Sequence, residues 1–478
     1  MEKFYLIFPA YCPASRPNIQ YPKHMFTKKV SKLVSKYFKS SSRGTMLVFV
    51  MVFGSIAFTM IVLGLSTYAL FENRASNRIH KRDEAFHIAE AGINYYRWHL
   101  AHDGDDYFDG TGGDPGPYVH SYFDKDGNLI GYYSLEIDPP PGGASVVTVR
   151  STGWTLEQSE SARTIQVRLG FPSLTDYAFI ENADMNFSPT TEVHGKVHSN
   201  GYIQFNGTTD SWVDSAKPVN GVYGSGGPTE FWRYPVPPKD FYGISADLVA
   251  IRDMSDNGGL HLNSSGSGSY GYHIVFQSNG TYDLYKVKAR RCYTGAVECR
   301  WGWCWGNICD DIQRENSQGN HAIPSNGVIF VEDNVWVEGV INGRVTIGAG
   351  RFPTDYQEIY ISGNLTYYEK NSDDVLGLIA QGDVLVPHDV PDVMEIDAAA
   401  LSQYRSVHRK YYKNDIKDSL LFFGSQISFE SGGWKWGQPV VSGFVSTNHT
   451  YDGNLLFLPP PGFPVEPTYE LISWEELE

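Results

Sequence analysis

Four cysteines in the second half of the chain are the residues best placed for covalent or metal chemistry. They fall within 18 residues, with six, four and four residues between them. An even set of cysteines in an exported domain predicts two disulfides, and the sequence leaves all three pairings open. The spacing lacks the close pair typical of structural zinc sites, so we predict no metal and no cofactor. The four are Cys292, Cys299, Cys304 and Cys309.

Three tryptophans alternate inside this cysteine cluster. Successive side chains of a strand point to opposite faces, so Trp301, Trp303 and Trp305 would place three rings on one face. Two interpretations stay open: a small core beneath a disulfide-bonded loop, or an exposed contact for a surface glycan or protein ligand. We treat 286–316 as a Cys/Trp insertion in a larger domain.

A short acidic segment offers a weak candidate for a metal site. Asp124, Asp126 and Asn128 alternate like the first ligands of a Ca²⁺ loop. Leu135 stands where an EF-hand needs its bidentate glutamate, and a β-turn between two strands explains the same three residues. We therefore predict a turn here.

Two pairs of carboxylates could serve as acid and base in a glycan-cleaving enzyme. Asp373 precedes Asp374 directly, and Asp389 lies close to Asp392. Each pair falls in a predicted polar turn, where Asp commonly caps or solvates the backbone. The sequence contains no nucleophile elbow, zincin motif or P-loop. We predict that the protein is not an enzyme.

Charge is distributed unevenly along the chain. The first 44 residues hold nine Lys or Arg and one acidic residue, whereas the whole chain has a net charge of −16. An acidic body repels phosphates, so we exclude nucleic acid as a partner.

An uncharged segment follows the basic head. Residues 45–71 contain no charged side chain over 27 positions. As a helix this segment would measure roughly 40 Å, enough to cross a hydrocarbon core of about 30 Å. Basic residues upstream keep an N-terminus in the cytoplasm. We predict a single-pass protein of the inner membrane whose body is exported to the cell surface.

The junction between the basic head and the apolar segment has a recognisable form. Residues 40–48 read SSSRGTMLV, which resembles a prepilin peptidase site cut between Gly44 and Thr45. Residues 88–93 read IAEAGI, which resembles the A-E-A-G signature of PilX-like minor pilins. The resemblance implies a type IV pilus or related secretion system, with other pilins, the pilus assembly machinery and prepilin peptidase as partners.

One residue departs from the pattern of that family. Most pilins carry Glu at the fifth position after the cut, and this chain has Phe49 there. In the family, that Glu pairs with the N-terminus of a neighbouring subunit. Its lack favours a minor subunit at the filament tip over a repeating subunit.

Hydrophobic periodicity predicts an α+β protein with an extended first helix. Apolar residues recur every three or four positions after the membrane segment, with Arg82 as the exception, and no proline interrupts 45–102. The face consists of Ala75, Ile79, Arg82, Phe86, Ala89, Ile93, Tyr96 and Leu100.

The remaining sequence is rich in short strand-like segments. Beyond residue 172 we predict a large all-β domain, a β-helix or solenoid, with a β-sandwich as the alternative. Only 392–412 has helical spacing there. The predicted domains are a basic cytoplasmic leader, 1–44; a transmembrane and pilin helix, 45–102; a pilin-like antiparallel sheet, 103–171; the β-rich domain, 172–458; and a Pro-rich tail, 459–478.

The sequence thus predicts a minor pilin-like component that primes assembly or decorates the tip of a pilus. A surface adhesin held by an uncleaved signal anchor is the alternative. A glycan-active β-helix enzyme is the third possibility.

Overall fold

The computed structural model describes residues 43–104, 106–140, 146–157, 161–170, 174–241, 247–300, 303–464 and 469–477. The chain divides into two compact units, Met1–Ile79 and His80–Glu478. Of the predicted leader, 1–44, all but the last two residues lie outside the described part.

The first helix, α1, is a single element of 60 residues, Arg43–His102. In the first unit its apolar side chains are exposed from Met46 to Phe71. Met46–His102 is the one helix among the described residues that is long and apolar enough to cross a membrane. The prediction of a long apolar N-terminal helix is therefore confirmed.

A five-stranded antiparallel sheet packs against the second part of α1. Buried and exposed residues alternate along its strands, as expected for a sheet with one face on a core. Its fifth strand, Glu470–Leu477, comes from the predicted Pro-rich tail and pairs with the strand Arg163–Gly170. This strand was not predicted from the sequence. The other four strands are β1, Tyr118–Phe123; β2, Leu129–Asp138; β3, Val146–Thr155; and β4, Arg163–Gly170.

The rest of the second unit is a large β-rich region with one short helix, α2, Asp247–Asp256. Its strands up to the Cys/Trp insertion are β5, Phe179–Glu181; β6, Met185–Phe187; β7, Thr191–His194; β8, Val197–Ser199; β9, Ile203–Phe205; β10, Thr208–Thr209; β11, Val213–Ser215; β12, Val222–Tyr223; β13, Trp232–Arg233; β14, Leu260–Leu262; and β15, Tyr272–Gln277.

The insertion itself is a long antiparallel hairpin, β16, Thr281–Arg300, and β17, Trp303–Ala322. The strands that follow are β18, Val328–Val331; β19, Val335–Ile341; β20, Arg344–Ala349; β21, Ile359–Tyr367; β22, Val375–Ala380; β23, Val384–Val386; β24, Val393–Ser402; β25, Val407–Arg409; β26, Tyr411–Tyr412; β27, Ile416–Ser428; β28, Lys435–Trp436; and β29, Ser442–Thr450.

Most of these strands pair in parallel and form stacked ladders. One ladder runs β14–β18–β20–β22–β24–β27 and continues into β5, β8, β11 and β13. A second runs β15–β19–β21–β23–β25. Every residue of β18 and β22 is buried, as is usual for parallel strands covered on both faces.

The helical spacing of 392–412 misled the sequence analysis. Its residues form β24, β25 and β26 instead of a helix. β24 pairs in parallel with β22 on one side and with β27 on the other. Met394 and Ile396–Ser402 are buried, and Glu395 between them is partly exposed. Ladder pairing and burial on both faces therefore override the helical propensity of its alanines.

Candidate functional site

The N-terminal end of α1 carries the residues that the pilin resemblance singles out. Gly44 and Thr45 lie in its first turn. Phe49 is exposed, and its ring stacks on Phe53 with centroids 6.2 Å apart. Cleavage after Gly44 stays a prediction.

The A-E-A-G segment lies where α1 and the antiparallel sheet come closest. A Cβ atom on Gly92 would come 2.3 Å from Ser151 Oγ and 2.8 Å from the Tyr133 ring. A Cβ atom on Gly153 of β3 would likewise come 2.3 Å from the Ala85 carbonyl oxygen. Small residues on both elements are therefore what allows this helix to lie directly on this sheet.

The buried face of α1 differs in part from the predicted one. The predicted members Ala75, Ile79 and Arg82 are exposed, and burial begins at Ala85. Phe86 is half-buried, and its ring meets Trp474 of the C-terminal strand edge-on at 6.0 Å. The fully or nearly buried residues of this face are Ala85, Ile88, Ala89, Gly92, Ile93, Tyr96 and Leu100.

The Cys/Trp insertion contains one disulfide among the described residues, between Cys292 and Cys309. It joins β16 to β17. The backbones of Cys299 and Cys304 stand opposite each other in the same pair of strands. The formation of a second disulfide between them stays a prediction.

Among the described residues, the hairpin tip carries two of the three predicted contact tryptophans. Trp303 is opposite Arg300 in the strand register, and Trp305 is opposite Glu298. Trp301 lies outside the described residues. The backbone thus places Trp303 and Trp305 at the distal end of a long hairpin, while their role in binding stays a prediction.

A buried acidic residue fixes this hairpin to the ladders. The Asp310 carboxylate accepts a hydrogen bond from Tyr412 Oη at 2.8 Å and lies 3.3 Å from Lys410 Nζ. Its backbone oxygen accepts a hydrogen bond from Trp336 Nε1 at 2.6 Å. Burial raises the pKa of Asp310, and Lys410 opposes that effect. Asp310 was not predicted from the sequence, because its burial depends on partners about 100 residues away.

The carboxylates considered for catalysis have structural partners. Asp389 Oδ2 lies 2.9 Å from Arg291 Nη2, so it ties the hairpin to the loop after β23. Asp392 lies 3.3 Å from Lys417 Nζ. Asp374 accepts a hydrogen bond from the backbone N–H of Gly343 at 2.6 Å. Each of the three thus serves to hold loops or strands together.

The segment considered for calcium is a tight turn between β1 and β2. Asp124 accepts hydrogen bonds from the backbone N–H groups of Asp126 and Asn128, at 2.9 and 2.8 Å. It also accepts one from the Asn128 amide at 3.0 Å. Within the described ranges, no group of three His, Cys, Asp or Glu residues is arranged to hold a metal ion.

Comparison with known proteins gives a similarity of structure. No protein-family model and no curated protein matches the chain. The chain is similar to the competence-associated pilin ComZ from Thermus thermophilus, with 13% sequence identity and a TM-score of 0.31. The similarity covers 83% of this chain and 97% of that one.

Proposed function

We propose that this protein is a minor pilin-like component of a type IV pilus or a related assembly. The observation that carries the proposal is the construction of α1. Its first part, 46–71, exposes an uninterrupted apolar surface, and its later part packs on a small antiparallel sheet through Ala89 and Gly92. One helix therefore combines a segment suited to lipid with a segment suited to carrying an exported domain.

The position in the assembly follows from Phe49 and from the size of the β-rich region. Phe49 cannot form the ion pair that Glu at this position makes with a neighbouring N-terminus. A body of this size in every repeat would also crowd a filament. We therefore place the protein at or near the tip, where it primes assembly.

We further propose that the two parallel ladders are two sheets of a β-helix, each coil of which adds one strand to each. The chain alternates between the two ladders, passing from β18 to β19, then to β20, β21, β22 and β23. Each return to a ladder adds one parallel strand beside the previous one. Repetition of this kind is typical of a solenoid, in which each repeat contacts its neighbours.

A surface adhesin with an uncleaved anchor is the second candidate. The long hairpin favours it, because Asp310 and the Cys292–Cys309 disulfide hold a tryptophan-bearing tip in place. We propose that the protein is not an enzyme in either case, since Asp374, Asp389 and Asp392 have structural partners.

Processing at Gly44 separates the two candidates. Co-expression of the full chain with a prepilin peptidase should remove residues 1–44, which mass spectrometry of the mature N-terminus would detect. Gly44→Leu should abolish the cleavage. Gly54→Leu is the matched control, since Gly54 has no neighbouring atom within 4 Å. A mature protein that still begins at Met1 in a piliated host would favour the adhesin.

A further inference from the structure

A cavity of about 900 Å³ opens in the β-rich region, and no residue of α1 or of the Cys/Trp hairpin lines it. Strands β5, β6, β28 and β29 contribute to its wall. Four aromatic side chains contribute to the lining. They are Phe179, Phe187, Trp434 and Trp436.

A chain of hydrogen bonds at this cavity sets the orientation of a buried histidine. Trp434 Nε1 donates to Gln426 Oε1 at 3.1 Å, and Gln426 Nε2 lies 2.7 Å from His449 Nδ1. An indole N–H can only donate, so Gln426 must present its amide N–H to His449. The His449 Nδ1 atom therefore accepts, and the ring proton lies on Nε2.

The Nε2–H group of His449 has no partner within the described residues. Burial, with a smaller contribution from the Lys435 charge, lowers the pKa of His449 to about 3, so the ring is neutral at physiological pH. A buried donor without an acceptor costs free energy, which a ligand oxygen in the cavity would recover.

A buried carboxyl group at the same cavity is also incompletely paired. Glu181 is 7% exposed, and its Oε2 atom has no partner among the described residues. Burial raises the pKa of Glu181 well above its usual value, against a hydrogen bond from the Gly432 backbone. Glu181 therefore adds a second polar group that a ligand hydroxyl would satisfy.

The outer part of the cavity presents a fixed aromatic ring. Trp436 is 43% exposed, and its Nε1 donates to the Arg409 carbonyl oxygen at 3.2 Å. Its ring also meets Tyr411 edge-on at 6.2 Å. These contacts hold the indole while leaving part of it open to a flat apolar partner.

The polar groups near the mouth are held in place by hydrogen bonds. Lys435 Nζ donates to Thr190 Oγ1 at 2.6 Å and to the Val445 carbonyl oxygen at 3.2 Å. Asn186 Nδ2 donates to Gln204 Oε1 at 3.3 Å. The mouth therefore offers amide and hydroxyl groups, which both donate and accept hydrogen bonds.

We propose that this cavity binds a neutral oligosaccharide. A sugar ring has an apolar face that stacks on an aromatic ring and hydroxyl groups that donate and accept hydrogen bonds. Trp436 matches the first property, and His449 Nε2–H and Glu181 match the second. Apolar walls with a few fixed polar groups are typical of small-molecule sites. The proposal does not depend on the pilin assignment.

The test uses the detergent-solubilised full chain and four neutral hexasaccharides, namely maltohexaose, cellohexaose, chitohexaose and laminarihexaose. Hexagalacturonate serves as the charged comparison. Calorimetry and saturation-transfer NMR should detect binding of at least one neutral hexasaccharide and none of hexagalacturonate. Trp436→Ala should weaken binding at least about fivefold. The matched control is Trp98→Ala, at an exposed tryptophan on α1.

Two further variants keep the test decisive if Trp436→Ala does not fold. Asn186→Ala, at an exposed residue of the mouth, should also weaken binding. Glu181→Ala should weaken it more than Glu181→Gln, which retains a polar group. The proposal is overturned if no neutral hexasaccharide binds at about 10 mM. It is also overturned if hexagalacturonate binds more tightly, or if Trp98→Ala loses as much affinity as the cavity variants.

Discussion

Gly92 lies where α1 comes closest to the antiparallel sheet. Its missing side chain leaves room for Ser151 and Tyr133, whose atoms would lie within 2.8 Å of an added Cβ. We expect Gly92→Leu to lower the free energy of unfolding by about 1–3 kcal/mol, because the added side chain forces helix and sheet apart. Chemical denaturation of the full chain in detergent measures this change in the free energy of unfolding. Asn94→Leu, on the exposed face of the helix, should have little effect.

His273 links β15 to two acidic residues. Its Nδ1 lies 2.9 Å from Glu315 and its Nε2 lies 3.4 Å from Glu338. Burial alone would lower the pKa of His273, but the two carboxylates outweigh it and raise the pKa to about 9. The charged ring therefore stabilises the fold fully below pH 6.5, and this contribution is lost as the pH rises toward 9.

Unfolding measured between pH 6.5 and 9.5 tests this linkage. Relative to the His273→Gln variant, the natural protein should lose about 3 kcal/mol of unfolding free energy over that range. His87→Gln is the control, since His87 is exposed on α1. Parallel pH profiles for the natural protein and His273→Gln would contradict the assigned charge.

At the scale of elements, the Cys/Trp hairpin gives a test of export and oxidation. Cys292 and Cys309 are joined, and Cys299 stands opposite Cys304 in the strand register. Cys12 of the predicted leader is first replaced by serine, so that only these four cysteines remain. Alkylation of the exported Cys12→Ser protein without reductant should then label none of the four. Each disulfide should stabilise the fold by about 2–4 kcal/mol. Labelling of Cys299 and Cys304 alone would show that the hairpin has one disulfide. Bound zinc together with four free thiols would contradict both disulfides.

The elements differ in how well the sequence predicted them. The apolar run of α1 is a local pattern, so its helix could be predicted, as could the strand character of the body. Strand Val393–Ser402 could not be predicted, because its alanines have a high helix propensity. The neighbouring ladder strands bury these alanines, and that burial favours the strand. The C-terminal strand Glu470–Leu477 was missed because its partner strand lies some 300 residues earlier in the chain.

The candidate sites show the same division between local and distant information. Gly92 could be found from the A-E-A-G motif, and the cysteine cluster from its spacing. Asp310 and the Trp434–Gln426–His449 chain could not, since their chemistry arises from burial and from partners on other strands. The sequence held a hint in Trp434 and Trp436, which flank Lys435, but it gave no reason to join them to Glu181.

At the scale of the whole molecule, the central claim is a pilin-like subunit that does not repeat along a filament. Phe49 stands where the proposed pilin relationship expects an acidic residue, and the β-rich region occupies most of the chain. Repeated polymerisation through this subunit should therefore be unfavourable. Deletion of the gene should reduce the number of pili, which electron microscopy can count.

Immunogold labelling of pili on intact cells, with an antibody against the β-rich region, tests this claim most directly. The deletion strain provides the background. We expect a few gold particles per pilus, at or near the tip. Uniform labelling along the shaft would contradict the account.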